Sequence, residues 1–153
     1  MAITIDDVPP LDAVATLFRE YAASLAFDLC FQGFDGEVAS LPGPYAPPRG
    51  ALLLARVDGA DAGCVALRPL DAETGEVKRL YVRDVYRGRG VARALVDALL
   101  VRARAARYRR LRLDTVPSMQ AAQALYRSYG FREIAPYTDN PVPGALFLEL
   151  DLP

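Results

Sequence analysis

Arginine and glycine alternate from Arg87 to Ala92, where the sequence reads RGRGVA directly before a segment with helical spacing. A glycine-rich turn that enters a helix presents free backbone N–H groups at the positive end of the helix dipole. Such a turn binds phosphate groups, so the segment indicates a nucleotide-containing ligand. A helix start that only needs flexible glycines stays open as the alternative.

Two familiar phosphate-binding patterns do not fit this turn. A Walker loop would continue with Gly-Lys-Ser/Thr, which is absent here. A dinucleotide-binding turn would carry a third small residue where this chain has Arg93. The ligand is therefore expected to be a different kind of nucleotide compound.

Histidine is absent from all 153 residues. This removes the usual general base, the usual zinc ligand and every His-dependent triad. Acid–base chemistry must then use carboxylates, tyrosines, backbone groups or water, and no metal site is expected. The two cysteines, Cys30 and Cys64, have apolar neighbours in the sequence, which favours buried free thiols over a nucleophile or a disulfide.

The composition is that of an ordinary soluble protein, with 52% apolar and 24% charged residues. The length favours one domain over residues 1–153. A net charge of −1 provides no global attraction to nucleic acid or to an anionic membrane. No apolar segment approaches the roughly 20 residues of a membrane span, and the N-terminal MAITIDD is not a signal peptide. These features predict a cytoplasmic protein.

Hydrophobic periodicity predicts the elements that must hold these residues. Strands are expected at residues 2–5, 51–57, 62–70, 76–82, 110–115, 131–134 and 145–150. Helices are expected from about residue 10 to 25, at 34–41, at 90–107, and from an N-cap at Ser118 to a left-handed Gly130. This order predicts an α/β (α+β) fold with a mixed, mostly antiparallel sheet of about seven strands and helices on both faces.

Two motifs together resemble the GNAT superfamily of N-acetyltransferases. The first is Arg87-x-x-Gly90-x-Ala92, preceded by a strand that ends Leu80-Tyr81-Val82, which resembles the acetyl-CoA signature of that family. The second is Ala122-x-x-Leu125-Tyr126-x-x-x-Gly130-Phe131, which resembles the tyrosine-bearing helix. Both occur in the family's order and separation, so the resemblance implies a GNAT-like fold and acetyl-CoA as the cosubstrate.

The resemblance also implies where acetyl-CoA binds, namely in the splay between strands 76–82 and 110–115. The pantetheine arm would pair with the backbone of Leu80, Tyr81 and Val82, and an N–H near Val82 would stabilise the oxyanion. The pyrophosphate would lie on the turn, held by Arg87, Gly88, Arg89, Gly90, Val91 and Ala92. For the side chains of Arg87 and Arg89, phosphate contact and simple solvation both stay open.

Tyr126 matches the family position that protonates the departing thiolate, although a core tyrosine packed on a helix face is the simpler alternative. Glu76 is expected to open its strand, where several family members carry a general base. Asp114 on the neighbouring strand is a rival base, and water is a third. Many members carry asparagine where this chain has Met119, so one cofactor contact is expected to differ.

The predicted reaction is direct acetyl transfer to the amine of a small molecule or an amino acid. Segment 25–36 with Phe31, Gln32 and Phe34, the loop 137–144, and Asp114 are expected to form the acceptor pocket. A protein acceptor, at an N-terminus or a lysine, is the alternative within this fold. A non-catalytic acyl-CoA-binding module is the alternative from another class, and retention of Tyr126 and Glu76 argues against it. The sequence leaves a homodimer open.

Overall fold

The computed structural model describes residues 1–25, 28–29 and 33–153. The strands in this part of the chain are β1 Ile3–Asp6, β2 Ala51–Val57, β3 Ala60–Pro69, β4 Thr74–Val82, β5 Arg110–Thr115, β6 Arg132–Ile134 and β7 Leu146–Asp151. The α-helices are α1 Leu11–Ser24, α2 Phe34–Ala39, α3 Val91–Ala105 and α4 Gln120–Ser128. Short 3-10 turns lie at Gly43–Tyr45 and Asp84–Tyr86.

These strands form one seven-stranded sheet in the order β1-β2-β3-β4-β5-β7-β6. Every neighbouring pair is antiparallel except β4 and β5, which are joined by the crossover through α3. The mixed, mostly antiparallel sheet predicted from the sequence is confirmed. The parallel pairing runs only from Thr74 with Arg110 to Glu76 with Arg112. Beyond it the two strands separate, and we call the resulting gap the β4–β5 opening.

Helices cover both faces of the sheet because each strand alternates its apolar residues between two cores. On one face, Leu95 and Leu99 of α3 pack with Leu53 and Val65 of the sheet. On the other, Phe18 of α1 packs with a set that includes Leu17, Leu52, Leu54 and Cys64. Cys64 is a buried free thiol, as predicted, whereas Cys30 lies outside the described residues.

A bulge interrupts β4 midway along its pairing with β3. Cys64 lies opposite Tyr81 and Ala66 lies opposite Lys78, so β4 carries one extra residue between these pairs. Arg79 takes up the extra length with a φ of 61°, an uncommon conformation for a residue with a side chain. The bulge therefore changes which face of the sheet the following side chains occupy.

The predicted boundaries differ from the observed ones most consequentially at β4 and α4, which carry candidate site residues. Asp71 accepts hydrogen bonds of 2.8 Å from the N–H groups of Glu73 and Thr74, which shortens the preceding turn. Strand β4 therefore begins at Thr74 and Glu76 is its third residue, buried with 5% exposure. Helix α4 begins at Gln120, and Met119 takes the N-cap position with no side-chain cap, in place of Ser118.

The predicted turn residues are confirmed where a positive φ is required. Gly130 follows α4 with a φ of 101°, and Asp58 and Gly59 turn the β2–β3 hairpin with φ of 50° and 85°. Among the described residues, no helix is long and apolar enough to cross a membrane.

Candidate active site

A cavity occupies the β4–β5 opening. Residues 77–80 of strand β4, the end of β5, helix α4 and helix α1 supply most of its walls. The described residues that line it are Tyr21, Leu29, Val77, Lys78, Arg79, Leu80, Asp114, Thr115, Val116, Met119, Ala122, Tyr126 and Asn140. It exists because β4 and β5 stop pairing after Glu76 and Arg112, so the sheet splits there.

The backbone of Val82 faces this opening. The Arg83 N–H donates a 2.8 Å hydrogen bond to the Ala62 carbonyl on β3, and Val82 pairs with Gly63. In an antiparallel ladder, bonded and non-bonded pairs alternate, so the N–H and C=O of Val82 point away from β3. Gly63 keeps the strands close here, since a Cβ on it would lie 2.5 Å from the Tyr81 carbonyl oxygen.

The turn before α3 has the form of an anion site. Gly88 and Gly90 adopt φ of 76° and 85°, and a Cβ on either would meet nothing within 4 Å. These glycines are therefore required by the backbone conformation and not by close packing. The N–H groups of the first turn of α3, starting at Val91, have no acceptor within the helix. They are oriented to bind an anion such as a pyrophosphate.

The two arginine side chains of this turn contact the turn itself. The Arg87 guanidinium donates to the Val82 carbonyl at 3.0 Å and pairs with Asp84 at 2.8 Å. The Arg89 guanidinium lies over the Tyr86 ring, 5.9 Å from its centroid. Their predicted contact with phosphate stays a prediction, while the Arg87 bonds fix the path between β4 and α3.

Tyr126 lies on the buried side of α4, with its ring centroid 5.3 Å from that of Phe131 and its side chain at the cavity wall. Burial raises the pKa of the Tyr126 phenol, and the charge of Asp114 raises that pKa further. The phenol therefore stays protonated at neutral pH, as a proton donor must. Its predicted role as the acid stays a prediction.

Asp114 and Glu76 have different surroundings, although both were candidate bases. Asp114 lines the cavity and accepts a 3.0 Å hydrogen bond from the Asn140 side chain. Glu76 does not line the cavity; it accepts a 2.7 Å hydrogen bond from the Tyr137 hydroxyl and lies 3.7 Å from the Arg68 Nε. Asp114 is therefore the carboxylate of this pair that can contact an acceptor in the cavity.

Lys78 is a cavity residue that sequence reasoning passed over. Burial lowers the pKa of its ammonium group, and the charge of Arg79 lowers it further. The charges of Glu76, Asp114 and Glu37 act in the opposite direction. The signal was present, because Lys78 is the only lysine in the chain and stands two residues after Glu76. The resemblance implied the splay between the two strands, but no pattern in the sequence placed Lys78 at its wall.

The predicted acceptor residues are only partly described. Phe31 and Gln32 lie outside the described residues. Phe34 is buried in the core beneath Arg79, whose guanidinium carbon lies 5.3 Å from the ring centroid, so its contact with an acceptor stays a prediction. Leu29 and Asn140, from the two predicted segments, do line the cavity. Met119 lines it too, with its sulfur 3.8 Å from the Thr115 hydroxyl.

Comparisons with known proteins agree with this geometry. Residues 17–131 match the Acetyltransferase (GNAT) family. An uncharacterized N-acetyltransferase of Schizosaccharomyces pombe is 36% identical over 93% of this chain and 88% of its own length. The N-acetylaspartate synthetase of Danio rerio is 32% identical over 71% of this chain and 39% of its own length.

A solved structure shows the same fold. The acetyltransferase yncA of Salmonella typhimurium, a structure with its cofactor acetyl-CoA, has a TM-score of 0.75 and 19% sequence identity. The similarity covers 100% of this chain and 95% of that one. The chain belongs to the GNAT acetyltransferase family, as the two sequence motifs predicted.

Proposed function

We propose that this GNAT family member is an acetyl-CoA-dependent N-acetyltransferase that transfers the acetyl group directly to the amine of a small molecule or an amino acid. One observation carries the proposal. The Val82 N–H of β4 points into the β4–β5 opening, and Asp114 and Tyr126 line the cavity that occupies this opening. These are a hydrogen-bond donor, a proton acceptor and a proton donor, which is the set that acyl transfer requires.

The turn before α3 supports acetyl-CoA as the acetyl donor. Its N–H groups, which have no acceptor within the helix, suit the pyrophosphate, and the β4 backbone beyond the bulge suits an extended pantetheine arm. Bound in this way, acetyl-CoA supplies a thioester whose carbonyl can be attacked by an amine. The proton acceptor, the proton donor and the oxyanion-binding amide are all supplied by residues of this chain.

Asp114 prepares the acceptor amine. An alkyl ammonium group has a pKa near 10.4, so removing its proton at pH 7 costs about 4–5 kcal/mol. The Asp114 carboxylate is fixed by Asn140 at 3.0 Å and faces the cavity, where it can accept that proton directly or through water. The neutral amine then attacks the thioester carbonyl carbon and forms the new C–N bond.

Val82 and Tyr126 complete the transfer. The Val82 N–H, which faces the opening, donates to the carbonyl oxygen as negative charge develops on it. When the C–S bond breaks, Tyr126 gives its proton to the departing thiolate sulfur. The nitrogen of the new amide loses its extra proton, which returns through water to the Tyr126 oxygen. No covalent bond to the protein forms, and Cys64 takes no part, since it is buried and its thiol contacts the Arg79 carbonyl at 3.4 Å.

The walls of the cavity favour a small acceptor. Tyr21 of α1 and Asn140 of the β6–β7 loop are both among the described residues that line it. The Danio rerio relative is called N-acetylaspartate synthetase. That name refers to an N-acetylated amino acid, which agrees with an acceptor of this size. A protein acceptor would need a groove through which an extended chain can pass.

A panel assay tests the proposal. Free amines, L-amino acids and peptides with a free N-terminus or lysine are incubated with acetyl-CoA, and thiol release and acetylated products are measured. We expect turnover with small amines or amino acids. Turnover with peptides alone would identify a protein acceptor, and no thiol release with any acceptor would overturn the proposed activity.

A further inference from the structure

We infer that Arg83 is a positioning residue for acetyl transfer, because its guanidinium and Glu20 of α1 fix the end of β4, where the Val82 N–H faces the opening. This role rests on the proposed function, in which that N–H stabilises the oxyanion. Arg83 belongs to neither of the two sequence motifs. The hydrogen bonds around the end of β4 assign the role to it.

The end of β4 lacks the support of β5. The two strands pair only from Thr74 to Glu76 on β4, so Val82 lies at a strand end that has β3 as its sheet neighbour. Strand ends fray where few contacts hold them. A backbone N–H stabilises an oxyanion best when it already points at the place where the charge will develop. The end of β4 therefore needs contacts from outside its pairing with β3.

Arg83 makes such contacts with two neighbouring elements. On β3, the Ala62 carbonyl accepts from the Arg83 backbone N–H at 2.8 Å, and the Asp61 carbonyl accepts from its Nη1 at 3.0 Å. On α1, the two carboxylate oxygens of Glu20 accept from Nε and Nη2 at 2.9 and 2.7 Å. This two-point contact fixes the direction of the guanidinium as well as its distance. The peptide between Val82 and Arg83 is thereby held to both elements.

Glu20 also joins the wall of the cavity to β4. The residue after it, Tyr21, lines the cavity, and its ring lies edge-on to that of Tyr81 with centroids 6.2 Å apart. The Tyr81 hydroxyl donates to the same Glu20 carboxylate at 3.3 Å. The hydrogen bonds from Arg83 lower the pKa of the Glu20 carboxyl, so the group is ionised at neutral pH. One carboxylate thus holds the α1 wall of the cavity in a fixed position relative to the end of β4.

The exposure of this ion pair separates a role in positioning from a role in overall stability. The Arg83 and Glu20 side chains are 33% and 34% exposed. In the buried pair of Arg79 and Glu37, the side chains are only 2% and 11% exposed. An ion pair as open to solvent as the first contributes little to the free energy of unfolding. Loss of Arg83 is therefore expected to impair catalysis more than folding.

Arg83→Met tests this expectation with the best acceptor from the amine panel. We expect kcat to fall by about 10- to 100-fold, because the oxyanion donor is no longer held in line. The Kd for acetyl-CoA should stay within about threefold, since the turn before α3 is left intact. The midpoint of thermal unfolding should fall by no more than about 4 °C. Arg83→Lys should recover only part of kcat, because an ammonium group cannot make the two-point contact.

Two controls isolate the contact. Arg132→Met removes ion pairs with Glu149 and Asp151 at the β6 edge of the sheet and should keep the wild-type kcat. The double variant Glu20→Met/Arg83→Met should lose no more kcat than Arg83→Met alone, because the two side chains act as one contact. If Arg83→Met does not fold, Glu20→Gln replaces it in the kcat measurement, since the amide keeps one acceptor oxygen for Arg83 and should still lower kcat.

The possible outcomes separate this role from the proposed function. Unchanged kcat in Arg83→Met, or an equal loss in Arg132→Met, would overturn the positioning role and leave acetyl transfer standing. A fall in kcat that is matched by loss of folded protein, or losses that multiply in the double variant, would overturn it as well. Absence of acetylation with every amine by the wild-type protein would overturn the proposed activity, and this inference with it.

Discussion

The hydroxyl of Tyr137 donates a 2.7 Å hydrogen bond to the buried carboxylate of Glu76, and this bond joins the β6–β7 loop to strand β4. The same loop reaches β5 through Asn140, which binds Asp114 at 3.0 Å. Two carboxylates thus hold one loop, but only Asp114 of the two lines the cavity. We therefore assign Asp114 to the acceptor amine and Glu76 to the support of the loop.

Substitution of the two carboxylates separates these roles. Asp114→Asn keeps the shape and removes the proton acceptor, so kcat/KM for the acceptor should fall by about 100-fold or more. Glu76→Gln keeps a partner for Tyr137 and should cost much less activity. Steady-state kinetics on both variants distinguishes the two assignments. A larger loss of kcat/KM in Glu76→Gln than in Asp114→Asn would restore Glu76 as the base predicted from the sequence.

The Arg79–Glu37 pair should be important for stability. The Arg79 side chain is 2% exposed and that of Glu37 is 11% exposed, so removing one partner leaves the other charge buried. Arg79→Met should lower the free energy of unfolding by about 3–5 kcal/mol, as measured by denaturant titration. The double variant Arg79→Met/Glu37→Met should be closer to wild type than Arg79→Met. If it is less stable than the single variant, the uncompensated-charge explanation is wrong.

Gly90 should matter through its backbone conformation. Its φ of 85° disfavours a residue with a side chain, although a Cβ there would meet no atom within 4 Å. Gly90→Ala should therefore cost about 1–2 kcal/mol of stability and weaken acetyl-CoA binding measured by calorimetry. Gly36→Ala, inside α2 and equally free of contacts, should be neutral or stabilising. Equal stability of the two variants would argue against the conformational explanation.

Stability should fall at high pH because of Tyr21. Burial raises the pKa of Tyr21 to about 12 from an ordinary value of 10.0. The native state then keeps a proton that the unfolded chain loses, so the stabilisation is complete below pH 10 and is lost as the pH rises toward 12. This tyrosine should contribute a slope of about 1.4 kcal/mol per pH unit in that window. Tyr21→Phe should flatten the curve of unfolding free energy against pH, and parallel curves would exclude this origin.

The sequence predicted those parts of the molecule that depend on local signals. Alternating apolar residues predicted β5, and Gly88 and Gly90 predicted the turn before α3. Both predictions succeeded because each pattern involves residues that are neighbours in the sequence. The prediction of Ser118 as the N-cap was wrong. The Met119 N–H donates a 3.0 Å hydrogen bond to the Val116 carbonyl, and the helix begins one residue later, at Gln120.

The bulge at Arg79 had no local signal. A non-glycine residue at positive φ is held there by long-range contacts, here with Glu37, which is 42 residues away in sequence. The place of Lys78 in the cavity depends on the same bulge and on the separation of β4 from β5. For this reason the acetyl-CoA motifs could be recognised in the sequence, whereas the charges that face the acceptor emerged only from the structure.

The most direct test of the account is turnover by Tyr126→Phe, measured together with acetyl-CoA affinity. Tyr129→Phe is the matched control, because that hydroxyl binds Asp97 away from the cavity. We predict that Tyr126→Phe lowers kcat by about 100-fold or more and leaves the Kd for acetyl-CoA within about twofold, while the control keeps its activity. Unchanged kcat in Tyr126→Phe would contradict the proposed mechanism of acetyl transfer in the β4–β5 opening.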